Sequence, residues 1–338
     1  MKPPGRSFVS RSLKLLVACG LLGGADVAAA DSNVWRRAAT PSQAATEDTL
    51  NEGRRQLDQY VTTVAGVDQS ESIATHLFAA KSLLEKQHAD SADAPSMRYL
   101  AARIEQALHA RDHDLAHLEK AIVLLRWVVA PERKLPIELR AAALFELAVC
   151  CAHLGRRADE ITAYVTDLEI EPNALHRSLI FANQADALMN RGDLEAAKRG
   201  YRNALNLLTG VVISVVGATT LWGLAVALDR SGDLPRALET VALARSYDPT
   251  DSQLRGPNWF FVPARESYWY DALGHWTRAR ATTEPGEQQK AYAKAEASFR
   301  SYAASSPLDD RWRTLGNVRA TQCAKEAVKA RTSGPSGL

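Results

Sequence analysis

Three histidines spaced four residues apart, His109, His113 and His117, are the arrangement in this sequence best suited to binding a metal ion. On one continuous helix their imidazoles would share a face, and two of them with a neighbouring aspartate could hold zinc. Residues 111–114 instead have the polar composition of a turn, which would separate the three side chains. We therefore predict no metal site and keep zinc binding at His113 as a hypothesis.

Catalytic signatures are absent from the sequence. It contains no G-x-S-x-G motif, no phosphate-binding glycine loop, no H-E-x-x-H motif and no C-x-x-C pair. The acid pair Glu169 and Glu171 is typical of a solvated helix end rather than of a catalytic dyad. We predict a protein that is not an enzyme and that uses no cofactor.

Aromatic residues crowd the segment from Trp259 to Trp276. One interpretation is a stacking surface for a cell-wall glycan or an anchor for a peptide. The other, which we favour, is that the rings fill the core beneath a long loop between helices. The seven residues are Trp259, Phe260, Phe261, Tyr268, Trp269, Tyr270 and Trp276.

Residues 1–30 have the pattern of a secretory signal peptide. Four cations up to Lys14 precede an apolar run from Leu15 to about Ala25, and three alanines at 28–30 are the small residues that a signal peptidase requires. We expect cleavage near Ala30 and a periplasmic or secreted protein. A lipoprotein signal, with Cys19 as the acylated residue, is the alternative. No other stretch is long enough to span a membrane.

Charge and cysteine content add two constraints. The first 30 residues carry four of the 41 Lys and Arg and one of the 39 Asp and Glu, so the remainder is nearly neutral and gives no indication of a nucleic-acid partner. Cys150, Cys151 and Cys323 remain, an odd number that defines no disulfide framework. A bond between the two adjacent cysteines would distort a helix, and whether Cys323 pairs with either is open.

Three glycines mark an internal repeat. Gly155, Gly192 and Gly232 are 37 and 40 residues apart, and each stands in a short polar turn between two apolar-periodic stretches. This spacing predicts three successive helix-turn-helix units. Small residues before each turn would let the two helices of a unit pack closely, and Pro172 and Pro249 would end two of the second helices.

The repeat resembles the tetratricopeptide repeat (TPR), a helix-turn-helix of about 34 residues. Glu160 and Asp167 depart from the pattern by replacing alanines, Gln184 replaces leucine and Val241 replaces an aromatic residue. The matching residues are Leu144, Leu147, Ala148, Gly155, Tyr164 and Pro172 in the first unit, Phe181, Ala185, Leu188, Gly192, Ala197, Tyr201 and Ala204 in the second, and Leu221, Leu224, Ala225, Leu228, Gly232, Ala237, Ala244 and Pro249 in the third.

The resemblance implies an all-α fold in which helix-turn-helix repeats stack as an α-solenoid with a C-terminal capping helix. A degenerate fourth unit spans Tyr270 to Pro307, with an insertion at 282–286. Residues 211–216 are either a short strand or a lead-in to the next helix, which we favour. The predicted segments are a signal peptide at 1–30, a flexible segment at 31–45, N-terminal helical pairs at 46–136, the repeat region at 137–308, the capping helix at 309–330 and a disordered tail at 331–338.

In TPR proteins the first helices line a concave groove that binds a peptide segment of a partner. The resemblance therefore implies an interaction scaffold in the cell envelope, with an envelope protein as partner; a glycan-binding module that uses the rings at 259–276 is the alternative. A terminal-carboxylate clamp is not expected, because only Asn183 matches one. The groove positions are Phe145, Val149, Asn183, Asp186, Met189, Asn190, Trp222, Val226, Asp229 and Arg230, with Trp222 as the strongest anchor.

Overall fold

A computed structural model describes residues 95–332, except for 134, 172, 209–215 and 256–260. All regular structure in this part of the chain is helical, as the sequence predicts, and it contains no strand. The predicted signal peptide, the Cys19 lipid site, the segment at 31–45, the apolar stretches near 49–64 and 73–87, the residues 211–215 and the tail after Thr332 lie outside the described residues.

The helices fall into two compact units that divide between residues 172 and 173. Within the described residues, the first unit has four helices in which neighbours along the chain pack against one another, α1 on α2, α2 on α3 and α3 on α4. Residues 131–136 therefore belong to the connection between two helices of one unit, α2 and α3. The bounds are α1 Pro95–Asp112, α2 Leu115–Val129, α3 Ile137–His153 and α4 Arg157–Ile170.

The described part of the second unit has seven helices, again packed mainly in chain order. The C-terminal helix α11 packs along α10, the position that the sequence predicts for a capping helix. The bounds are α5 Ala174–Arg191, α6 Leu194–Asn206, α7 Ala218–Arg230, α8 Leu234–Tyr247, α9 Glu266–Ala281, α10 Pro285–Ser305 and α11 Arg313–Thr332.

Left-handed glycines make the predicted turns. Gly155, Gly192 and Gly232 have φ values of 70°, 96° and 92°, a conformation that side-chain-bearing residues rarely adopt. The small residues expected to lie between the two helices of a repeat, Ala148, Ala185 and Ala225, are fully buried. The three helical hairpins therefore share one turn geometry and a fully buried alanine in the first helix.

Side-chain caps account for two helix starts that matter for the sequence predictions. Asp114 accepts a hydrogen bond from the backbone N–H of Ala116 and begins α2, which leaves His113 in a turn with φ 63°. Glu284 accepts from the N–H groups of Gly286 and Glu287. The insertion predicted at 282–286 is therefore only three residues long, 282–284. Pro285 already belongs to α10, because proline is favourable in the first turn of a helix.

The C-terminal helix is longer than the sequence predicts. Arg331 and Thr332, which sequence analysis assigns to the tail, belong to α11. Asp310 lies three residues before the helix and accepts a hydrogen bond from the backbone N–H of Trp312, which precedes the first helical residue, Arg313.

Candidate functional site

The predicted groove positions of the first unit lie on α3. Phe145 is half-buried and makes an edge-to-face contact with Tyr164 of α4, with 6.1 Å between ring centroids. Val149 is buried. Of this pair, Phe145 alone retains surface that a partner can touch.

The α5 face, defined here as Asn183, Asp186 and Asn190, is polar and partly exposed. Their spacing of three and four residues places them on one side of the helix, and all three are half-buried. Asp186 accepts a hydrogen bond from the Tyr201 hydroxyl, and Asn190 donates one of 3.2 Å to the carbonyl oxygen of Val262. These bonds fix the orientation of two polar side chains. Met189, predicted beside them, is buried.

The four predicted groove residues on α7 lie inside the second unit. Trp222, Val226, Asp229 and Arg230 are each at most 5% exposed. The indole of Trp222 packs near Tyr270, and the guanidinium of Arg245 lies 5.4 Å from its ring centroid. The prediction of these four residues as groove positions, with Trp222 as the strongest anchor, is thus corrected. The ring of Trp222 is covered by residues of α8 and α9, and Asp229 is bonded to residues of α9 and α11, which the repeat register did not anticipate.

Asp229 is the centre of a buried polar contact between α7, α9 and α11. Its carboxylate accepts hydrogen bonds from Arg319 Nε at 2.7 Å and from Trp269 Nε1 at 2.9 Å. Burial raises the pKa of Asp229, although Arg319 acts in the opposite direction. These two hydrogen bonds join Asp229 to residues that lie 40 and 90 positions later in the sequence.

Arg230 forms a second buried ion pair next to it. Its Nη2 donates to Glu266 Oε2 at 2.6 Å, while the rings of Trp269 and Trp312 lie 4.7 and 5.1 Å from its guanidinium carbon. Burial acts to lower the pKa of Arg230, but Glu266 and neighbouring tyrosines raise it overall. Such a guanidinium, enclosed by rings and a carboxylate, offers no surface to a ligand.

Three of the five described rings of the aromatic cluster are core residues. Trp269, Tyr270 and Trp276 are at most 6% exposed, Phe261 is half-buried, and Tyr268 is 40% exposed. Trp259 and Phe260 lie outside the described residues. A glycan platform requires exposed ring faces, so the filling of the core that we favoured from sequence is the better interpretation.

An open groove in the second unit was missed by sequence reasoning. It has a volume of about 330 Å³, within the range of small ligand sites. Its residues come from four helices, and no sequence pattern joins them. They are Leu234, Pro235 and Leu238 of α8, Trp276 and Arg280 of α9, Tyr292 of α10, and Gln322, Lys325 and Glu326 of α11.

No family model matches this chain. A search of curated proteins likewise finds no similar sequence.

The histidine series of the first unit is divided by the turn between α1 and α2. His109 Nδ1 lies 3.0 Å from the Asp114 carbonyl oxygen, and His117 Nδ1 lies 2.5 Å from Glu105 Oε2. His113 is exposed in the turn. Over the residues that the structure describes, no group of three or more His, Cys, Asp or Glu side chains is arranged to hold a metal ion.

None of the helices described here is both long and apolar enough to cross a membrane.

Asp167, in the last turn of α4, is a buried carboxyl group. It is 1% exposed, and among the described residues neither of its carboxyl oxygens has a hydrogen-bond partner. Burial, and secondarily Glu171, raise the pKa of Asp167 to about 8. The folded protein therefore favours the neutral acid.

The pH dependence of stability follows from this shift. Because the folded pKa lies above the ordinary value of 3.8, the folded chain binds the proton more tightly, and stability falls as the pH rises from about 4 to about 8. Asp167→Asn should unfold at a higher temperature than the parent chain at pH 8 and at a similar temperature at pH 4. The exposed neighbour change Glu169→Gln should leave both melting temperatures unaltered. Equal melting of Asp167→Asn and parent at pH 8 would contradict the assignment.

Proposed function

We propose that this protein is a non-enzymatic repeat scaffold of the tetratricopeptide type that binds an extended or helical segment of a partner protein. One observation carries the proposal: three successive hairpins each turn at a left-handed glycine and pack through alanines at equivalent positions. Within one unit, the first helices of stacked hairpins of this kind present side chains that a partner segment can contact.

We place the partner surface on the α5 face of the second unit. Support comes from the half-buried polar side chains of Asn183, Asp186 and Asn190, of which Asp186 and Asn190 are held in fixed orientations by one hydrogen bond each. Ordered side chains lose less conformational entropy on binding. Since Asp186 is acidic, the segment that it contacts should be neutral or basic.

The cell envelope is the proposed location of this binding. The cationic, apolar and small-residue stretches of residues 1–30 support export, with cleavage near Ala30. The partner is accordingly an envelope protein, and the chain takes no part in chemistry on it.

Site-specific photo-crosslinking tests the proposal. A photoreactive amino acid is introduced into the full-length chain at Asn183 or, as a control, at the exposed Glu195 of α6. After irradiation of living cells, the periplasmic fraction should contain one defined adduct for position 183 and none for position 195. The same adducts at both positions, or no adduct at 183, would contradict partner binding by the α5 face.

A further inference from the structure

The open groove of the second unit has an apolar floor. Leu238, Trp276 and Tyr292 are nearly buried, and the two rings meet edge to face with 6.4 Å between their centroids. Leu234 and Pro235 extend this floor along the first turn of α8. An apolar side chain from a ligand would gain contacts here without displacing any part of the helix packing.

The rim of the groove has an excess of positive charge. Arg280 and Lys325 are exposed, and neither forms an ion pair with another described residue. The one carboxylate of the rim, Glu326, is paired with Lys329 at 2.7 Å. The groove thus offers two cations whose charges the described part of the chain does not neutralise.

Two neutral donors complete the rim. The Oε1 atom of Gln322 accepts a hydrogen bond from Arg319 Nη1. The amide N–H groups of Gln322 can therefore donate to a ligand. Burial, and secondarily Glu326, raise the pKa of Tyr292, so that its hydroxyl stays protonated and can donate. Donors and cations together suit a ligand that is rich in carboxylate acceptors.

We propose that this groove binds an acidic peptide segment of a partner protein, with an apolar side chain against Leu234 and Pro235 and a carboxylate between Arg280 and Lys325. The segment is recognised by charge complementarity at the rim and by apolar burial at the floor. This inference rests on the proposed function, since it assigns a second docking site to the same scaffold. It differs from the α5 face in charge, because that face carries Asp186.

A neutral glycan fits the groove less well. Sugar rings stack on exposed aromatic faces, whereas Trp276 and Tyr292 are each at most 7% exposed and cover each other edge to face. The two cations would also find no counter-charge in a neutral sugar. An acidic peptide uses both features of the site.

The experiment uses randomised 12-residue peptides displayed on phage and selected against the protein purified from the periplasm. Enriched peptides are synthesised with a fluorescent label, and their Kd is measured by fluorescence anisotropy. We expect enrichment of Asp and Glu beside a Leu, Phe or Trp, and a Kd that rises with salt concentration. The single variants Arg280→Glu and Lys325→Glu should each weaken binding by about tenfold or more. Both sites are exposed, and unchanged melting temperatures would verify that the variants fold.

The matched control is Arg202→Glu on α6, an exposed cation outside the groove, which should leave the Kd unchanged. Selection of no peptides, enrichment without acidic residues, or equal weakening by all three variants would overturn the proposal. Binding of a labelled N-acetylglucosamine tetramer that is lost in the same two variants would replace the peptide with a glycan. None of these results alters crosslinking at position 183, so failure here is distinguishable from failure of the proposed function.

Discussion

Replacing Asp229 by alanine is expected to lower the free energy of unfolding by about 3–5 kcal/mol. The change leaves the Arg319 guanidinium and the Trp269 indole N–H without their acceptor in a buried site. Urea unfolding followed by tryptophan fluorescence measures the loss. Glu239→Ala, on the exposed side of α8, should change stability by less than about 0.5 kcal/mol.

A double-mutant cycle separates the ion pair from general packing. If Asp229 and Arg319 act as a pair, the double variant Asp229→Leu, Arg319→Leu should be considerably more stable than the sum of the two single losses predicts, because no unpaired charge remains buried. Additive losses would show that the two groups do not stabilise the fold through each other.

Trp222→Ala is expected to cost about 3–5 kcal/mol of stability, because it removes a buried indole and leaves a cavity next to Tyr270 and Gly274. Differential scanning calorimetry measures the effect. The comparison is Tyr268→Ala, at an exposed ring of the aromatic cluster, for which the loss should be below about 0.5 kcal/mol.

This result would also decide how to interpret binding assays with the variant. Any loss of a partner in Trp222→Ala should follow the fraction of unfolded protein rather than removal of a contact. A variant that keeps its full stability yet no longer binds would contradict the buried position of Trp222.

The local features of the fold were accessible from the sequence. Helix α2 begins and ends where the apolar periodicity of Leu115 to Val129 does, and the turn at residues 111–114 follows from its polar composition. Gly155, Gly192 and Gly232 reveal their turns because few other residues adopt a left-handed conformation. Periodicity and turn chemistry act over a few residues, and one sequence suffices to detect them.

The burial of the predicted groove residues of α7 could not be predicted from local sequence patterns. The repeat register places Trp222 and Asp229 on a particular side of their helix, but it does not tell what covers that side. The covering residues include Arg319, 90 positions later in α11, and no local pattern indicates such a partner. For the same reason the open groove, which combines Arg280, Tyr292 and Lys325 from three helices, has no signature in the sequence.

The three described cysteines have a practical consequence. Cys150 and Cys151 in the first unit and Cys323 in the second are free thiols with no exposed surface. Burial raises the pKa of all three, that of Cys151 to about 11, so the reactive thiolate is scarce while the helices stay closed. Alkylation of each cysteine will therefore proceed only as fast as its own helices open. Mass spectrometry of the modified peptides would report the opening of each unit separately, with no added label.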